Sequence, residues 1–459
     1  MLERVGEWVR GVWNRMFGKN AVAAALNVEV AVSGAMDAAI RQWMDVYQNT
    51  PNSLNLPSAI ASELARMVTI EMKSELSGSS RADFLNKRYQ AILGDVRNFT
   101  EYAVAGGGLI LKPYVSNGEI LTDYIQAGRF YPTNFDGNGE ITGAIFISQQ
   151  TAGPVTYTRL EHHRFEGAVY KVSNRAFSSR VEGTLGKPVP LAAVSEWTGL
   201  EPDSTIANLE RPLFTYLKMP FANIVDPGSP LGVSAYARAL GLIREADEQY
   251  RRILWEYEGS ELAIDVDLTA FKKTKESGYL LPKGKERLFR MVDFADSAER
   301  FRLFSPAIRD SSLFNGLNQL LMRIEDACSL ARGTLSDPQS EARTATELKI
   351  LRQRTYATVT DTQKALQKAL TDYAGALDAL ATLYGLAPEG KWEASFDFDD
   401  SIVSDRQAEF LEKQQLVTMG VLQPWELRMW YTGETEEQAK TNCPPRVDTG
   451  NPFEFGRMM

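Results

Sequence analysis

Apolar residues in the first hundred positions recur at steps of three and four, which is the spacing of amphipathic helices. The first apolar stripe covers residues 2–17 and stops at Gly18. It fits a helix that docks on its own protein or on a neighbouring subunit, although a helix lying on a membrane surface would look similar. Three more helices are predicted near residues 33–48, 57–77 and 80–105.

From residue 107 to about 225 the apolar period changes to two, which predicts strands. The predicted strands are Gly108 to Tyr114, Ile141 to Ser148, Val155 to His163 and Ala168 to Val172. Asp136 to Gly139 lies between extended segments with no helix after it, so we interpret it as a hairpin turn and not as a phosphate-binding loop. His162 and His163 occupy adjacent strand positions and point to opposite faces, so structural roles are predicted for them instead of joint metal binding.

Two long helices are predicted next, and both show the same start and stop signals. Ser229-Pro230 and Ser305-Pro306 each place an N-cap residue before a first-turn proline, and Gly259 and Gly333 act as stops. At ~1.5 Å per residue the first helix would be roughly 40 Å long. Cys328 falls in the apolar stripe of the second helix, which favours a small buried residue over a nucleophile.

The insert between these helices, residues 260–304, has strand-like pieces at Ala263 to Val266, Tyr279 to Leu281 and Leu288 to Val292. Within it, residues 270–290 contain seven basic and two acidic residues, a net charge of +5. The patch contains Lys272, Lys273, Lys275, Lys283, Lys285, Arg287 and Arg290. Two interpretations stay open: a solvated face, or a docking surface for an acidic partner or for DNA phosphates.

A polar stretch from Thr334 to Arg343 precedes a Thr-x-x-Glu capping box at Thr344 and Glu347. The helix that begins there is predicted to run to Tyr384, about 40 residues or roughly 60 Å. A helix this long is hard to bury inside one compact domain. The pattern therefore predicts an elongated subunit or packing against neighbouring subunits.

The C-terminal part returns to an extended pattern at residues 391–403 and then predicts two helices within 404–440, around Gly420 and Pro424. Asp397, Asp399 and Asp400 invite a metal-site interpretation, but no histidine or further carboxylate cluster accompanies them. Residues 441–459 are predicted to be loose.

Composition narrows the classes of function. The chain has 459 residues, 44% apolar and 24% charged, with 50 basic and 59 acidic residues for a net charge of −9. This excludes wholesale disorder and disfavours a protein that coats nucleic acid by neutralising phosphates. Two cysteines predict reduced thiols and assembly in a reducing compartment. No apolar run long enough for a membrane span, no secretory signal and no Gly-x4-Gly-Lys-Ser/Thr loop is found.

The order of parts resembles the portal proteins of tailed bacteriophages, most closely the portal/minor-head type of long-tailed siphoviruses. The resemblance covers about residues 35–440, and four stretches carry it: YPTNFDGNGEITGAIFI from Tyr131, SPLGVSAYARAL from Ser229, ARTATEL from Ala342 and WYTGETEEQAK from Trp430. The resemblance implies an α+β, mainly helical fold with wing, stem, clip and crown regions that assembles into a ring. Such rings, usually of about twelve copies, form a channel for double-stranded DNA at one capsid vertex.

By this resemblance, each segment of the chain has a counterpart. The wing is residues 1–230 completed by about 390–403, the stem helices are 231–258 and 306–332, the clip is 259–305, the tunnel loop is 333–345, the long helix is 346–385, and the crown is 404–440. The implied channel residues are Ser336, Asp337, Gln339, Ser340 and Arg343, and the implied docking patch is Lys272, Lys273, Lys275, Lys283, Lys285 and Arg287.

The resemblance also implies partners and a location. The partners are further copies of the chain, double-stranded DNA, the large subunit of the terminase motor, the major capsid and scaffolding proteins and a head-completion adaptor. The location is the portal vertex of the virion, with assembly in the host cytoplasm. No enzymatic activity, no cofactor, no metal and no membrane partner are expected. Two alternatives stay open: a metal-dependent nuclease or hydrolase using Asp397–Asp400, and a peripheral membrane or scaffold protein anchored by residues 2–17.

Overall fold

The computed structural model describes residues 18–48, 53–70, 72–260, 263–267, 273–274, 278–279, 289–292, 301–305, 307–337, 345–398 and 406–443. The chain divides into two compact units, Met1–Phe398 and Asp399–Met459. Helix accounts for 45% and strand for 25% of the described residues. The α+β class is therefore confirmed, but the chain is more evenly mixed than the mainly helical fold expected. The predicted helix at residues 2–17 lies outside the described residues.

Five helices and one strand open the first unit. They are α1 (Lys19–Leu26), α2 (Gly34–Tyr47), α3 (Leu56–Thr69), β1 (Lys73–Ser77), α4 (Ser80–Leu93) and α5 (Val96–Gly106). Helix α1 was not predicted. The helix predicted over residues 57–77 ends at Thr69, because the residues after it pair as β1 with a strand near residue 395. The helix predicted over 80–105 is broken at Gly94 and Asp95, two residues of low helix propensity.

Two antiparallel sheets follow. Their strands are β2 (Gly108–Ser116), β3 (Glu119–Gln126), β4 (Phe130–Phe135), β5 (Ile141–Ala152), β6 (Val155–Glu166), β7 (Val169–Ser179), β8 (Lys187–Val189), β9 (Asp203–Ala207) and β10 (Thr215–Lys218). One sheet has the order β10-β2-β3, and the other has the order β4-β5-β6-β7-β8 with β9 also paired to β7. All four predicted strands are confirmed and are longer than predicted. The hairpin turn is also confirmed, since the Asp136 carboxylate accepts from the backbone N–H of Asn138 and Glu140.

The two helices predicted from Ser-Pro signals exist, but their bounds differ. Helix α6 (Leu240–Gly259) ends at the predicted glycine but begins ten residues after Pro230. The intervening segment is held against the core, where the Gly232 backbone approaches Gly107 so closely that an added Cβ would lie 2.0 Å from its carbonyl oxygen. The sequence assignment of 231–258 as one helix was therefore wrong at its start, and α6 is about 30 Å long.

The second helix of the pair, α7 (Asp310–Ala327), is also shorter than the predicted 306–332. It ends well before Gly333, because Ser329 adopts a left-handed backbone with φ of 59°. Helices α6 and α7 pack antiparallel: the Arg309 guanidinium lies 2.7 Å from the Glu256 carboxylate, and the Gln249 amide donates to the Leu313 carbonyl at 3.4 Å. The pair forms a hairpin whose far end carries the insert.

The insert contains short strands, as predicted. They are β11 (Ala263–Asp267), β12 (Lys273–Thr274), β13 (Gly278–Tyr279), β14 (Phe289–Val292) and β15 (Phe301–Phe304). β14, β11 and β15 form a three-stranded sheet in that order, and β12 pairs with β13. Strand β15 was not predicted.

The long helix is present as α8 (Ala345–Leu383), 39 residues or about 60 Å. Its predicted capping residue Thr344 lies outside the described residues. From Val359 to Ala381 its apolar stripe is buried, with Leu366, Leu370 and Leu377 fully inaccessible. A helix of this length was expected to be hard to bury inside one domain, yet this half is buried, because helices and strands from distant parts of the chain cover it. The first unit closes with β16 (Glu393–Asp397), which pairs with β1.

The second unit contains three helices where two were predicted: α9 (Arg406–Thr418), α10 (Pro424–Thr432) and α11 (Glu436–Asn442). The prediction missed α11, although Thr435 and Gln438 form a capping box at its start. Among residues 410–443, Ala439 is the single side chain that is fully buried. The remainder of the tail predicted to be loose, residues 444–459, lies outside the described residues.

Candidate functional site

The connection between α7 and α8 is built around one buried acidic residue, Glu325. Its side chain is inaccessible to solvent. Its Oε1 accepts from the backbone N–H groups of Gly333 (3.2 Å), Leu335 (2.5 Å) and Ser336 (2.8 Å). Its Oε2 accepts from the Ser336 hydroxyl at 2.8 Å. We call residues 328–337 the connection base, since this part of the chain wraps the carboxylate.

Neighbouring side chains fix both ends of the connection base. The Asn318 amide oxygen accepts from the Asp337 backbone N–H at 2.9 Å, and the Thr355 hydroxyl donates to the Ser329 carbonyl at 3.3 Å. The adjacent acid Asp326 forms an ion pair with Arg332, with 2.8 Å between a carboxylate oxygen and a guanidinium nitrogen. Hydrogen bonding to Arg332 lowers the pKa of Asp326, so that this acid stays ionised.

The structure places two of the five predicted channel residues. Ser336 is 5% exposed and its hydroxyl donates to Glu325, so its side chain is not available for direct contact with DNA. Asp337 is exposed at the end of the connection base. Gln339, Ser340 and Arg343 lie outside the described residues. Nothing in the sequence singled out Glu325, because an acidic residue on an amphipathic helix is usually solvated.

The predicted basic docking patch is placed only in part. The backbone of Lys273 belongs to β12, and Lys272, Lys275, Lys283, Lys285 and Arg287 lie outside the described residues. Arg290 has an acidic partner, since its Nε lies 2.7 Å from Asp265. Its guanidinium also lies 4.1 Å from the Phe304 ring centroid.

The far end of the α6–α7 hairpin exposes large apolar side chains. Trp255 is 67% exposed on α6, Phe301 and Leu303 are 71% and 63% exposed on β15, and Phe314 is 45% exposed on α7. We call these four residues the distal apolar surface. Exposed apolar groups of this size on neighbouring elements are typical of protein interaction surfaces.

The acidic cluster proposed as a metal site is also placed only in part. Asp397 ends β16 opposite Lys73 of β1, and Asp399 and Asp400 lie outside the described residues. Within the described ranges, no group of three or more His, Cys, Asp or Glu side chains is arranged to hold a metal ion. In the same part of the chain, no helix is long and apolar enough to cross a bilayer.

A buried charge cluster lies in the large sheet and was not predicted. Glu161 lies 2.6 Å from Lys112, 2.9 Å from Arg159 and 2.8 Å from the His163 ring. Burial alone would raise the pKa of Glu161, but the charge of Lys112 and the hydrogen bond from His163 bring it well below its usual value. The other ring nitrogen of His163 meets the Tyr170 hydroxyl at 2.8 Å. Lys112 and His163 are buried and Glu161 is nearly covered, so the cluster presents no open reaction site. Among the described residues, the Nε of Arg159 is buried without a hydrogen-bond partner.

The two histidines give the fold a pH dependence. Burial and, to a smaller extent, the charge of Arg164 together lower the pKa of His162 from 6.5 to about 4. Between these two values the folded chain binds fewer protons than the unfolded chain, so stability falls as the pH is lowered. We expect the free energy of unfolding to drop by about 1–2 kcal/mol from pH 7 to pH 5 on account of His162, as measured by urea titration.

The control for this prediction is His162→Gln, which keeps a polar side chain but cannot titrate. The variant should lose part of the pH dependence while unfolding cooperatively at pH 7. Equal pH dependence in the two proteins would contradict the assignment to His162.

Cys328 fits the predicted structural role. Its side chain is 1% exposed, and burial raises the pKa of its thiol to about 12. A thiol that stays protonated at neutral pH is a poor nucleophile. The interpretation of Cys328 as a small buried residue is confirmed.

Comparison with solved structures gives a distant likeness in fold. No family model and no curated protein matches the chain. Among solved structures, the chain is similar to the neck of the native GTA particle, computed with C12 symmetry, at a TM-score of 0.39 and 12% sequence identity. The match covers 89% of this chain and 97% of that one. A likeness at this level carries no functional argument, so function must rest on the geometry of the chain itself.

Proposed function

We propose that the chain is a portal protein of a tailed bacteriophage, of the siphovirus portal/minor-head type. Copies of the chain would form a ring of about twelve subunits at one capsid vertex. Double-stranded DNA would pass through the ring during packaging and ejection. In this proposal the chain catalyses no reaction, and the energy for DNA movement would come from a separate ATPase.

The observation that carries the proposal is the α6–α7 hairpin with its exposed distal apolar surface. An antiparallel helix pair about 30 Å long projects an insert and leaves Trp255 and Phe301 largely uncovered. Heterologous contacts between identical subunits can close into a ring and cover such side chains. The resemblance of the sequence motifs to those of phage portal proteins favours a portal ring over other kinds of ring.

The net charge of the chain favours a channel through which DNA slides over a protein that binds DNA tightly. A net charge of −9 disfavours tight binding to phosphates, so a polyanion can slide through. In this proposal Asp337, Gln339, Ser340 and Arg343 approach the DNA, whereas Ser336 holds the base of the loop. The basic patch of the insert would dock the terminase large subunit and later the head-completion adaptor.

The remaining partners in the proposal are the major capsid and scaffolding proteins, which would meet the first unit. The ring would assemble in the host cytoplasm and remain in the virion at the portal vertex.

The decisive measurement is the mass of the assembled particle. Twelve copies of a 51.2 kDa chain correspond to about 614 kDa, which native mass spectrometry resolves from a monomer. We expect ring-shaped particles with a central hole by negative-stain imaging. A monomer under all assembly conditions would contradict the proposal.

A matched pair of variants tests the distal apolar surface. Trp255→Ser should reduce the fraction of chains found in rings by about tenfold or more. An aromatic side chain that is exposed in the single chain and becomes buried between subunits is a typical interface anchor. Leu121→Ser, at a residue 47% exposed on β3, is the control and should assemble normally. Equal loss in both variants would indicate general destabilisation.

A further inference from the structure

A carboxylate buried in protein is costly unless all of its hydrogen-bonding capacity is used. Glu325 meets this condition without a direct cationic partner among the described residues: its four bonds come from three backbone N–H groups and one hydroxyl, all within Gly333–Ser336. Arg332, the cation directly before Gly333, bonds to Asp326 instead. The carboxylate therefore acts on the backbone of the connection base.

This arrangement selects one backbone conformation for the connection base. An apolar residue at position 325 would leave the N–H groups of Leu335 and Ser336 without their acceptor, and the N–H of Gly333 would keep only the Ser336 hydroxyl. The Ser336 hydroxyl also accepts from the Gly333 N–H at 3.1 Å, which closes the turn on itself. The path of the chain through these residues is set by a side chain of α7.

The same segment is tied to the elements on both sides of it. Asn318 on α7 binds the Asp337 N–H, and Thr355 on α8 binds the Ser329 carbonyl. The chain therefore leaves the connection base at a defined place relative to both helices. In a ring of identical subunits, that place would be repeated at one height around the channel.

We infer that Glu325 is the positioning residue of the connection base: it fixes where Asp337, at the exposed end of that segment, meets the DNA. Glu325 itself touches no DNA, since it is inaccessible to solvent. The part of the inference that concerns DNA rests on the proposed function. The part that concerns the conformation of the connection base can be measured on the full-length chain in any state of assembly.

The structural arm is amide hydrogen exchange of Gly333, Leu335 and Ser336. In Glu325→Ala we expect exchange to be at least about tenfold faster than in the wild type at Leu335 and Ser336, because these amides lose their acceptor, and less strongly accelerated at Gly333. Ser336→Ala removes the hydroxyl that donates to Glu325 and accepts from Gly333 but keeps the three N–H bonds to the carboxylate, so a smaller acceleration is expected. This variant replaces Glu325→Ala if that chain fails to fold. Asp326→Asn, the adjacent acid on the same helix, is the matched control and should leave these amides unchanged.

The DNA arm is the dwell time of linear double-stranded DNA in single rings mounted in a solid-state pore. We expect Glu325→Ala rings of normal mass to change this dwell time by about threefold or more, whereas Asp326→Asn rings should not. Unchanged amide exchange in Glu325→Ala would overturn the anchoring. Faster exchange with an unchanged dwell time would overturn the positioning role and leave the proposed function standing. Absence of rings in the wild type would refute the proposed function, and the exchange result would still decide the anchoring.

Discussion

Replacing Arg81 with alanine is expected to lower the free energy of unfolding of the first unit by about 3–5 kcal/mol. The Arg81 guanidinium is fully buried and makes four hydrogen bonds to the C-terminal end of α8 and the chain beyond it. It binds the Asp378 carboxylate at 2.7 Å, the Asp378 carbonyl at 2.5 Å, the Thr382 hydroxyl at 2.6 Å and the Ala387 carbonyl at 2.7 Å. The variant therefore loses four hydrogen bonds made by a charged group, together with the packing of a side chain that is fully buried.

Urea unfolding followed by tryptophan fluorescence measures this loss as a shift in the transition midpoint. Arg81→Lys keeps the charge but not the planar fork of donors, so an intermediate loss is expected. The control is Arg66→Ala on α3, whose largely solvated pair with Glu63 should contribute less than about 1 kcal/mol. If Arg81→Ala and Arg66→Ala lower the midpoint equally, Arg81 does not anchor the long helix.

Removing the carboxylate of Glu161 is expected to cost a similar amount, about 3–5 kcal/mol in Glu161→Ala. The variant leaves Lys112, whose side chain is 4% exposed, without its nearest counter-charge; Asp123 lies farther away at 3.4 Å. His163 would also lose the hydrogen bond on one ring nitrogen. The cost comes from an uncompensated buried charge and not from the pair itself.

A double variant separates these two causes. Lys112→Met combined with Glu161→Met removes both charges, so we expect it to recover at least half of the loss seen with Glu161→Ala. Glu166→Ala, on the same strand at a solvated position, is the control and should shift the midpoint little. A double variant less stable than Glu161→Ala would show that the charges stabilise the sheet in themselves.

The sequence was most informative where local rules act alone. Strands β2, β5, β6 and β7 were predicted because alternation places every second residue on one face, and the turn at Asp136 needs contacts only within five residues. The C-terminal stripe of α8 was predicted in the same way from its period. These features need no knowledge of what the elements pack against.

Predictions failed where a distant part of the chain competes with a local signal. Ser229-Pro230 is a good helix start, but the contact between Gly107 and Gly232 keeps the following residues extended until the turn before Leu240. Lys73–Ser77 continues a helical pattern, yet it pairs with a strand that lies more than 300 residues away. The local sequence pattern carries no information about either of these long-range contacts.

The sequence by itself determined the α+β class, the sheet strands, the helix pair with its insert and the long helix that follows, because periodicity and turn residues act over a few positions. Tertiary structure alone decided which charged residues are buried: Arg81, Lys112 and Glu325 look like solvated helix or strand positions until the fold supplies their partners. The physical reason is that a charge is buried only where several groups, distant along the chain, satisfy it together.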